Sequence, residues 1–262
     1  MMKTKVIVIT GASSGIGFTT GEYLAAKGYK VYGFSRRKRE NSAINYIACD
    51  VTDKKQVKAA FEQINEDIYA VINNAGIGIS GPVEYAAAED IQKIIDVNII
   101  GVINVCQIAI PYLRKSKGKI INIGSVAGDL IIPFQTFYSI TKAAVHALTQ
   151  GLNMELKPFG IKAITVLPGD TKTSFTANRY KNVVQDEIYK ERVKKSVLKM
   201  EKDEQEGKDP VTVSKVIYRV LKKKNPPLKV TVGVEYKALV FLKRLLPLKF
   251  VNSVIYHIYG GE

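Results

Sequence analysis

The amino-acid sequence predicts a doubly wound α/β fold: a parallel sheet with helices on both faces, followed by a C-terminal helical lid and tail. Three observations lead there. Short apolar runs rich in β-branched residues alternate with helical patterns over residues 6–167. These runs are apolar nearly throughout rather than at every second position, as in strands covered on both faces. The first runs directly into a glycine-rich turn that opens a helix, Thr10-Gly11-Ala12-Ser13-Ser14-Gly15-Ile16-Gly17. No linker or repeat interrupts the pattern, and 262 residues suffice for one such domain with a sizeable core.

Residues 6–9 read as the first strand and 18–27 as the helix after the turn. Residues 30–35 and 45–49 are the second and third strands. An amphipathic helix spans 53–65, with Val57, Ala60, Phe61 and Ile64 on one face. The fourth strand is 68–72, and two separate helices follow, 88–96 and 102–114. The fifth strand is 119–123. A long helix, 136–157, ends at Pro158 and Gly160, and the sixth strand, 161–167, closes at Pro168-Gly169. Then the rhythm breaks, and residues 173–208 are polar, charged and helical in pattern. Asp209-Pro210, an N-cap followed by proline at N1, starts a helix that runs to Lys224. Residues 228–232 are a last strand. The tail, 236–259, is apolar with interspersed Lys and Arg and is interrupted by Pro247.

Composition narrows the function. Lys3 and Lys5 lead straight into the first strand, so no signal peptide is expected. No uncharged run is expected to approach the roughly 18 apolar residues that span a bilayer. Two cysteines, Cys49 and Cys106, both in apolar runs, point to buried thiols in a reducing, cytoplasmic setting. His146 and His257 lie far apart, so no metal site is expected. The net charge is +15, and from Lys172 onward 20 Lys/Arg face 10 Asp/Glu. No nucleic-acid motif accompanies this excess, and much of it sits at helical spacing among acids, as on a solvated face. An anionic cofactor or membrane surface can use the same field.

The turn at 10–17 can cradle a phosphate. Its glycines allow close backbone approach, and the helix start offers free N–H groups and the positive end of its dipole. A site for NAD wants an acid about 20 residues on, to bond the ribose 2′-hydroxyl. Here Ser35 occupies that position, followed by Arg36, Arg37, Lys38 and Arg39. Arg36, seconded by Arg37, suits a 2′-phosphate, so NADP(H) is favoured over NAD(H); Lys38 and Arg39 read as surface. Asp50-Val51 and Asn74-Ala75-Gly76 follow strands, where ligands bind in this architecture, and Asp50 suits an adenine amino group. Ser125 follows the fifth strand. Tyr138 and Lys142 lie at i and i+4 on one face of the long helix. A free tyrosine titrates near pH 10, and a neighbouring ammonium is expected to lower that toward a useful range.

Taken together these residues resemble the short-chain dehydrogenase/reductase family in its ordinary-length form. The resemblance covers residues 4–173 and rests on TGASSGIG at 10–17, CDV at 49–51, NNAG at 73–76, VN at 97–98, GS at 124–125, YSITK at 138–142 and PG at 168–169. It implies a Rossmann-type domain and a reversible hydride transfer between nicotinamide and an alcohol or ketone. It implies Tyr138 as acid/base and Ser125 as holder of the substrate oxygen. Lys142 would hold the nicotinamide ribose, and Asn98 would kink its helix and anchor a proton-relay water. The cofactor would meet Gly11, Ser13, Ser14, Gly15, Ile16, Gly17, Arg36, Arg37, Asp50, Val51, Asn74, Ala75, Gly76, Tyr138 and Lys142. Pro168, Gly169, Thr171 and Thr173 would meet its nicotinamide end. Asp170-Thr171 departs from the pattern, since an aliphatic residue is commoner at Thr171. One domain, 1–262, would comprise a cofactor-binding and catalytic core at 1–171, a substrate lid at 172–208 and C-terminal helices with the last strand at 209–262.

For the substrate, residues 126–137 should line the mouth through Leu130, Ile131, Ile132, Pro133, Phe134 and Phe137, which suits a lipophilic alcohol or ketone; subunit packing is the alternative. The tail packs within the protein, covers the pocket, meets another subunit or touches a membrane through 236–259. Its basic, apolar character resembles the branch that handles steroids, retinoids and other lipid-like ketones. Family members are often dimers or tetramers. The alternative to an NADP(H)-dependent enzyme is a catalytically silent NADP(H)-binding regulator or scaffold. The presence of Ser125, Tyr138, Lys142 and Asn98 together favours the enzyme.

Overall fold

Strands Val6–Thr10 (β1), Lys30–Ser35 (β2), Asn45–Ala48 (β3), Ile68–Asn73 (β4), Lys119–Ile123 (β6), Lys162–Leu167 (β7) and Lys229–Thr231 (β9) build one seven-stranded sheet in a computed structural model that describes residues 4–181 and 187–261. The order is β3-β2-β1-β4-β6-β7-β9 and every pairing is parallel. Because side chains alternate across a strand, β1 serves two cores. Val6 and Val8 join Val57, Phe61, Val105 and Leu113 on one face. Ile7 and Ile9 join Leu24, Val213 and Ile217 on the other. The first face is covered by helices Lys54–Glu62 (α2), Gly101–Ser116 (α4) and Thr136–Glu155 (α5), the second by Gly15–Ala25 (α1) and Pro210–Lys222 (α7). The chain thus winds one way from β1 to β3 and the other way from β4 to β9. A crevice opens at the carboxyl ends of β1 and β4, where the order reverses.

Local chemistry sets the element ends. Asp53 caps α2 by accepting from Lys55 N at 2.8 Å and Gln56 N at 3.3 Å, and Asp209 caps α7 by accepting from Val211 N at 2.7 Å. Lys117 turns α4 off in a left-handed conformation, φ 49°. The buried Lys119 ammonium donates to the Leu221 and Lys223 carbonyls, closing the C-terminal end of α7.

Three expectations need correction. The helices expected at 88–96 and 102–114 are one continuous run: Ala88–Ile95 (α3) passes into α4 through a π turn at Asp96–Ile100. A π turn keeps the backbone hydrogen-bonded while inserting a residue, so it bends a helix without ending it. The run 88–116 is also long and apolar enough to cross a membrane by length and composition, contrary to the expectation. In this fold its apolar residues Val102, Val105, Cys106, Ala109 and Leu113 are buried against the sheet. Among the described residues of 173–208, only Glu187–Gln205 (α6) are helical. Before that, Tyr180–Lys181 (β8) pairs with Ile79–Ser80 (β5) in a small parallel ladder that staples this segment to the body. The expected helical pattern at 182–186 lies outside the described residues. The tail forms two helices, Val234–Leu245 (α8) and Leu248–Tyr259 (α9), joined at Leu246-Pro247.

Candidate active site

The crevice widens into a cavity of about 740 Å³ that runs from the glycine turn to the tail. At one end stands the turn between β1 and α1. Gly11 and Gly15 have φ of 65° and 52°, the left-handed region that only glycine adopts without strain. Ser14 opens α1 with extended backbone, its side chain makes no capping bond, and no acid lies in the first turn. The helix start therefore keeps its N–H groups for an anion, and the cradle fits a dinucleotide phosphate. Ser13, Ser14, Gly15, Ile16, Arg36 and Arg37 line this end. Arg36 and Arg37 are solvent-exposed, whereas the Arg39 guanidinium lies 3.8 Å from the Phe18 ring centroid and is taken up there. Asp50 and Val51 line the next stretch. One Asp50 oxygen accepts from Thr52 N and Oγ1 at 3.0 and 2.8 Å.

The loop at 73–76 is bolted to the turn. The Thr10 hydroxyl accepts from the N–H groups of Asn74 and Ala75, both at 3.0 Å. Asn74 Nδ2 donates to the carbonyls of Thr10 and Gly11 at 3.1 and 3.2 Å. Gly17 lies behind the cavity wall rather than on it. A Cβ there would come within 2.4 Å of both Asn74 Nδ2 and Gly11 O, so its need is close packing. Asn98 also lies behind the wall, inside the π turn. Its Oδ1 accepts from Ile77 N at 2.9 Å, and its Nδ2 donates to Ile77 O and Thr141 Oγ1 at 2.9 and 3.1 Å.

At mid-cavity, Ser125, Tyr138 and Lys142 come together with Gly76, Pro168, Gly169, Thr171 and Thr173. Ser125 begins a short 3₁₀ turn, Val126–Gly128, and its Oγ accepts from Ala127 N at 3.1 Å. Lys142 Nζ donates to the Ile123 carbonyl at 2.9 Å and lies 5.5 Å from the Tyr138 ring centroid. The expected pKa relation between them is corrected here. Burial pushes the Tyr138 phenol up to about 12, although a hydrogen bond from Ser125 acts the other way. Burial pushes the Lys142 ammonium down to about 8. Removing both groups from water penalises each charge, and this outweighs their attraction at that separation. The site at neutral pH therefore holds a phenol and an ammonium.

The far end is built by elements whose role the sequence pattern left open. Phe175 packs on Tyr138, ring centroids 5.6 Å apart. Thr173 sits over Gly15, where a Cβ would lie 3.3 Å from the threonine Cβ. Thr171 lines the cavity while its hydroxyl donates to Gly169 O at 2.9 Å. Of the expected mouth residues, Leu130 and Ile132 line the cavity. Ile131 points to solvent and Phe134 turns away to pack with Val193, Val197 and Met200 of α6. Pro133 and Phe137 are not on the wall either. Residues not singled out as site residues beforehand also belong here. Tyr236 lies against Gly169, and its hydroxyl donates to Asp170 Oδ2 at 2.6 Å. Glu204, on the wall, accepts from Thr176 and from the buried Arg179 guanidinium. The departure from pattern at Asp170-Thr171 adjoins the Tyr236 contact; Thr176, Arg179 and Glu204 carried no signal, because their contacts span 25 and 28 residues. Both tail helices complete the wall, through Leu239, Leu242 and Leu246 on one side and Phe250, Val254 and Ile258 on the other.

A family model described as short chain dehydrogenase matches residues 5–183. A 3-ketodihydrosphingosine reductase of Bacteroides thetaiotaomicron is 40% identical over 239 residues, covering 88% of this chain and 89% of that protein. The crystal structure of a short-chain dehydrogenase from Streptomyces avermitilis matches with a TM-score of 0.82 and 25% identity, covering 98% of this chain and 96% of that one. The structure of ElxO with NADP bound matches with a TM-score of 0.74 and 26% identity, covering 90% of this chain and all of that one, 100%. With the sheet order, the phosphate cradle and the Ser125–Tyr138–Lys142 grouping, these matches make the chain a member of the short-chain dehydrogenase/reductase family, oxidoreductases that work with a nicotinamide cofactor.

Proposed function

We propose that the protein is an NADP(H)-dependent reductase of a long-chain, lipid-like ketone. The observation that carries this reading is the single cavity that joins a basic phosphate cradle, a Ser–Tyr–Lys group and an apolar far end. Residues 1–171 serve as the cofactor-binding and catalytic core, 172–208 as the lid and 209–262 as the closing C-terminal segment of one domain. The bound nicotinamide supplies the hydride. Ser125 and Tyr138 hydrogen-bond the carbonyl oxygen, and Tyr138 gives its proton to that oxygen as negative charge develops on it. The Lys142 ammonium, fixed by Ile123 O, offsets the charge then left on the phenolate. Asn98 acts as a positioning residue that pins the π turn and the loop at Ile77 beside Lys142, and anchors a relay water there. The 3-ketodihydrosphingosine reductase relative and the apolar tail lining support a long alkyl chain on the substrate. A homodimer or homotetramer is the assembly we expect.

NADPH oxidation measured with 3-ketodihydrosphingosine and with short-chain ketones tests the reaction. Turnover should rise steeply with chain length, and NADPH binding without turnover of any ketone would leave only the silent regulator. The cofactor preference has its own test. Arg36→Ala should weaken NADPH by about 10- to 100-fold and NADH by much less, since a charge-assisted contact to phosphate contributes about 1.5–3 kcal/mol. Equal losses, measured as KM for the two cofactors, would count against a 2′-phosphate contact.

A further inference from the structure

We propose that α8 and the turn after it form a docking element for an anionic lipid bilayer, placed so that a lipid substrate passes from the leaflet into the cavity. The inference rests on the lipid-ketone reading for its purpose but not for its test. At 100° per residue, α8 carries one wide apolar arc of about 160°, running from Phe241 and Leu245 through Ala238 to Leu242 and Leu239. Leu239, Leu242 and Leu246 point into the cavity. Val234, Phe241 and Leu245, at spacings of 7 and 4, form the outer stripe of this arc and are not on the cavity wall. Phe241 is 58% exposed and Leu245 66%, and Leu248 at the turn is 62% exposed. A helix apolar over so wide an arc needs cover across it, and the protein buries none of it: Leu239 and Leu242 on the cavity wall are 48% and 45% exposed. By contrast α9 is one-sided: its non-cavity face carries Lys249, Asn252, Ser253 and His257.

Charge identifies the partner. Residues 236–259 hold four cations and no acid. Lys237 and Arg244 lie together along one edge of the outer apolar stripe of α8, and Lys249 lies beyond the turn. These three are exposed and have no ion-pair partner among the described residues. Apolar side chains edged by unpaired cations match the interface of a membrane with anionic headgroups. A second copy packed across this stripe would bring Lys237 and Arg244 against their own symmetry mates, which is unfavourable. The anchoring also fits. α8 is held near its start by Tyr236 on Asp170 and Lys208 on Glu235, and in its last turn by Lys243 on the Asp129 carbonyl. α9 is held at its end by Tyr259 on Asp203 at 2.8 Å. Among the described residues, 244–255 make no side-chain hydrogen bond to the body, so the loose end of the hairpin is also its exposed apolar end.

The experiment compares the full-length wild type with F241S/L245S and with K237E/R244E, none of which alters a cavity residue. Binding is read by co-sedimentation with phosphatidylcholine vesicles with and without phosphatidylglycerol. Activity is read as NADPH oxidation on a water-soluble ketone without vesicles and on a long-chain ketone embedded in them. Wild type should bind the anionic vesicles, less so at high salt, and each double variant should bind about tenfold or more weakly. Both variants should keep their activity on the soluble ketone and their thermal midpoint, and should lose it on the embedded one. Wild type that ignores anionic vesicles overturns the proposal. So does a pair of variants that bind as wild type does, or that change only the oligomeric mass by light scattering. Vesicle binding without turnover of either ketone would sink the proposed reaction and leave the docking element standing.

Discussion

Replacing Tyr138 with phenylalanine is expected to lower ketone reduction by about 10³-fold or more while leaving cofactor affinity essentially unchanged, because a positioned acid contributes about 10²–10⁴ and the ring's packing on Phe175 is retained. Single-turnover kinetics and NADPH fluorescence titration separate the two effects. The pH dependence follows from the burial of the pair. With its pKa pushed up to about 12, the phenol stays protonated through the working range and holds the proton that reduction consumes. Lys142, pushed down to about 8, loses its charge just above neutrality. Reduction by the wild type should therefore be flat up to about pH 8 and decline above it. Alcohol oxidation needs the phenolate beside a charged Lys142, a form one proton short of the resting pair, so it should rise with pH up to about 8 and level off above it. A reduction rate that climbs through pH 8–9 would contradict this assignment of protonation states.

Replacing Lys142 with methionine is expected to remove at least about 10²-fold of the activity and to make the protein more stable at neutral pH. The ammonium is buried, and among the described residues its hydrogen-bond partner is one carbonyl, Ile123 O. A fall in its pKa from 10.5 to about 8 corresponds to about 3 kcal/mol of destabilisation when the charge is present. Methionine is similar in length and apolar, so it removes that penalty and forfeits one hydrogen bond of about 1 kcal/mol. A net gain of about 2 kcal/mol raises the thermal midpoint of a chain this size by roughly 4–8 °C. The sign with pH is definite. The folded protein binds this proton less tightly than the unfolded chain does. The penalty is thus fully present below about pH 8 and fades as pH rises toward 10.5, where the unfolded chain also loses its proton. Calorimetry at pH 7 and near pH 10 should show the variant's advantage shrinking. A variant less stable than wild type at pH 7 would mean that the lysine is held by favourable contacts after all.

What the sequence could reveal depended on the range over which each feature is determined. The cradle at Thr10–Gly17, the basic end of β2 and the Tyr138–Lys142 spacing are local patterns, and the structure brings all of them to one cavity. The strand runs were legible because both faces of the sheet are covered and the strands are apolar nearly throughout. The π turn was not, since Asn98 acts there through Ile77 and Thr141, side chains and backbone 21 and 43 residues away. The Tyr138 protonation state was misjudged for a related reason. Spacing shows that Lys142 is near but not that both groups are dry. The tail was ambiguous because α8 is apolar over one wide arc. Sequence periodicity shows that arc but not which part of it lines the cavity.

The two cysteines lend the fold a further property. Cys106 packs between α4 and the sheet, where Asn73 Nδ2 donates to its sulfur at 3.3 Å, and Cys49 is buried at the end of β3. Burial pushes their thiols up to about 12 and about 11. Alkylating reagents require a thiolate with a clear approach; Cys49 borders the cavity, whereas the Cys106 sulfur offers none while the sheet is intact. Modification must then wait for the sheet to open, so alkylation at Cys106 proceeds at a pace set by the fraction of molecules transiently unfolded around β4 and α4. The chain thus carries its own clock for opening of the core, one that runs under native conditions and needs no engineered label.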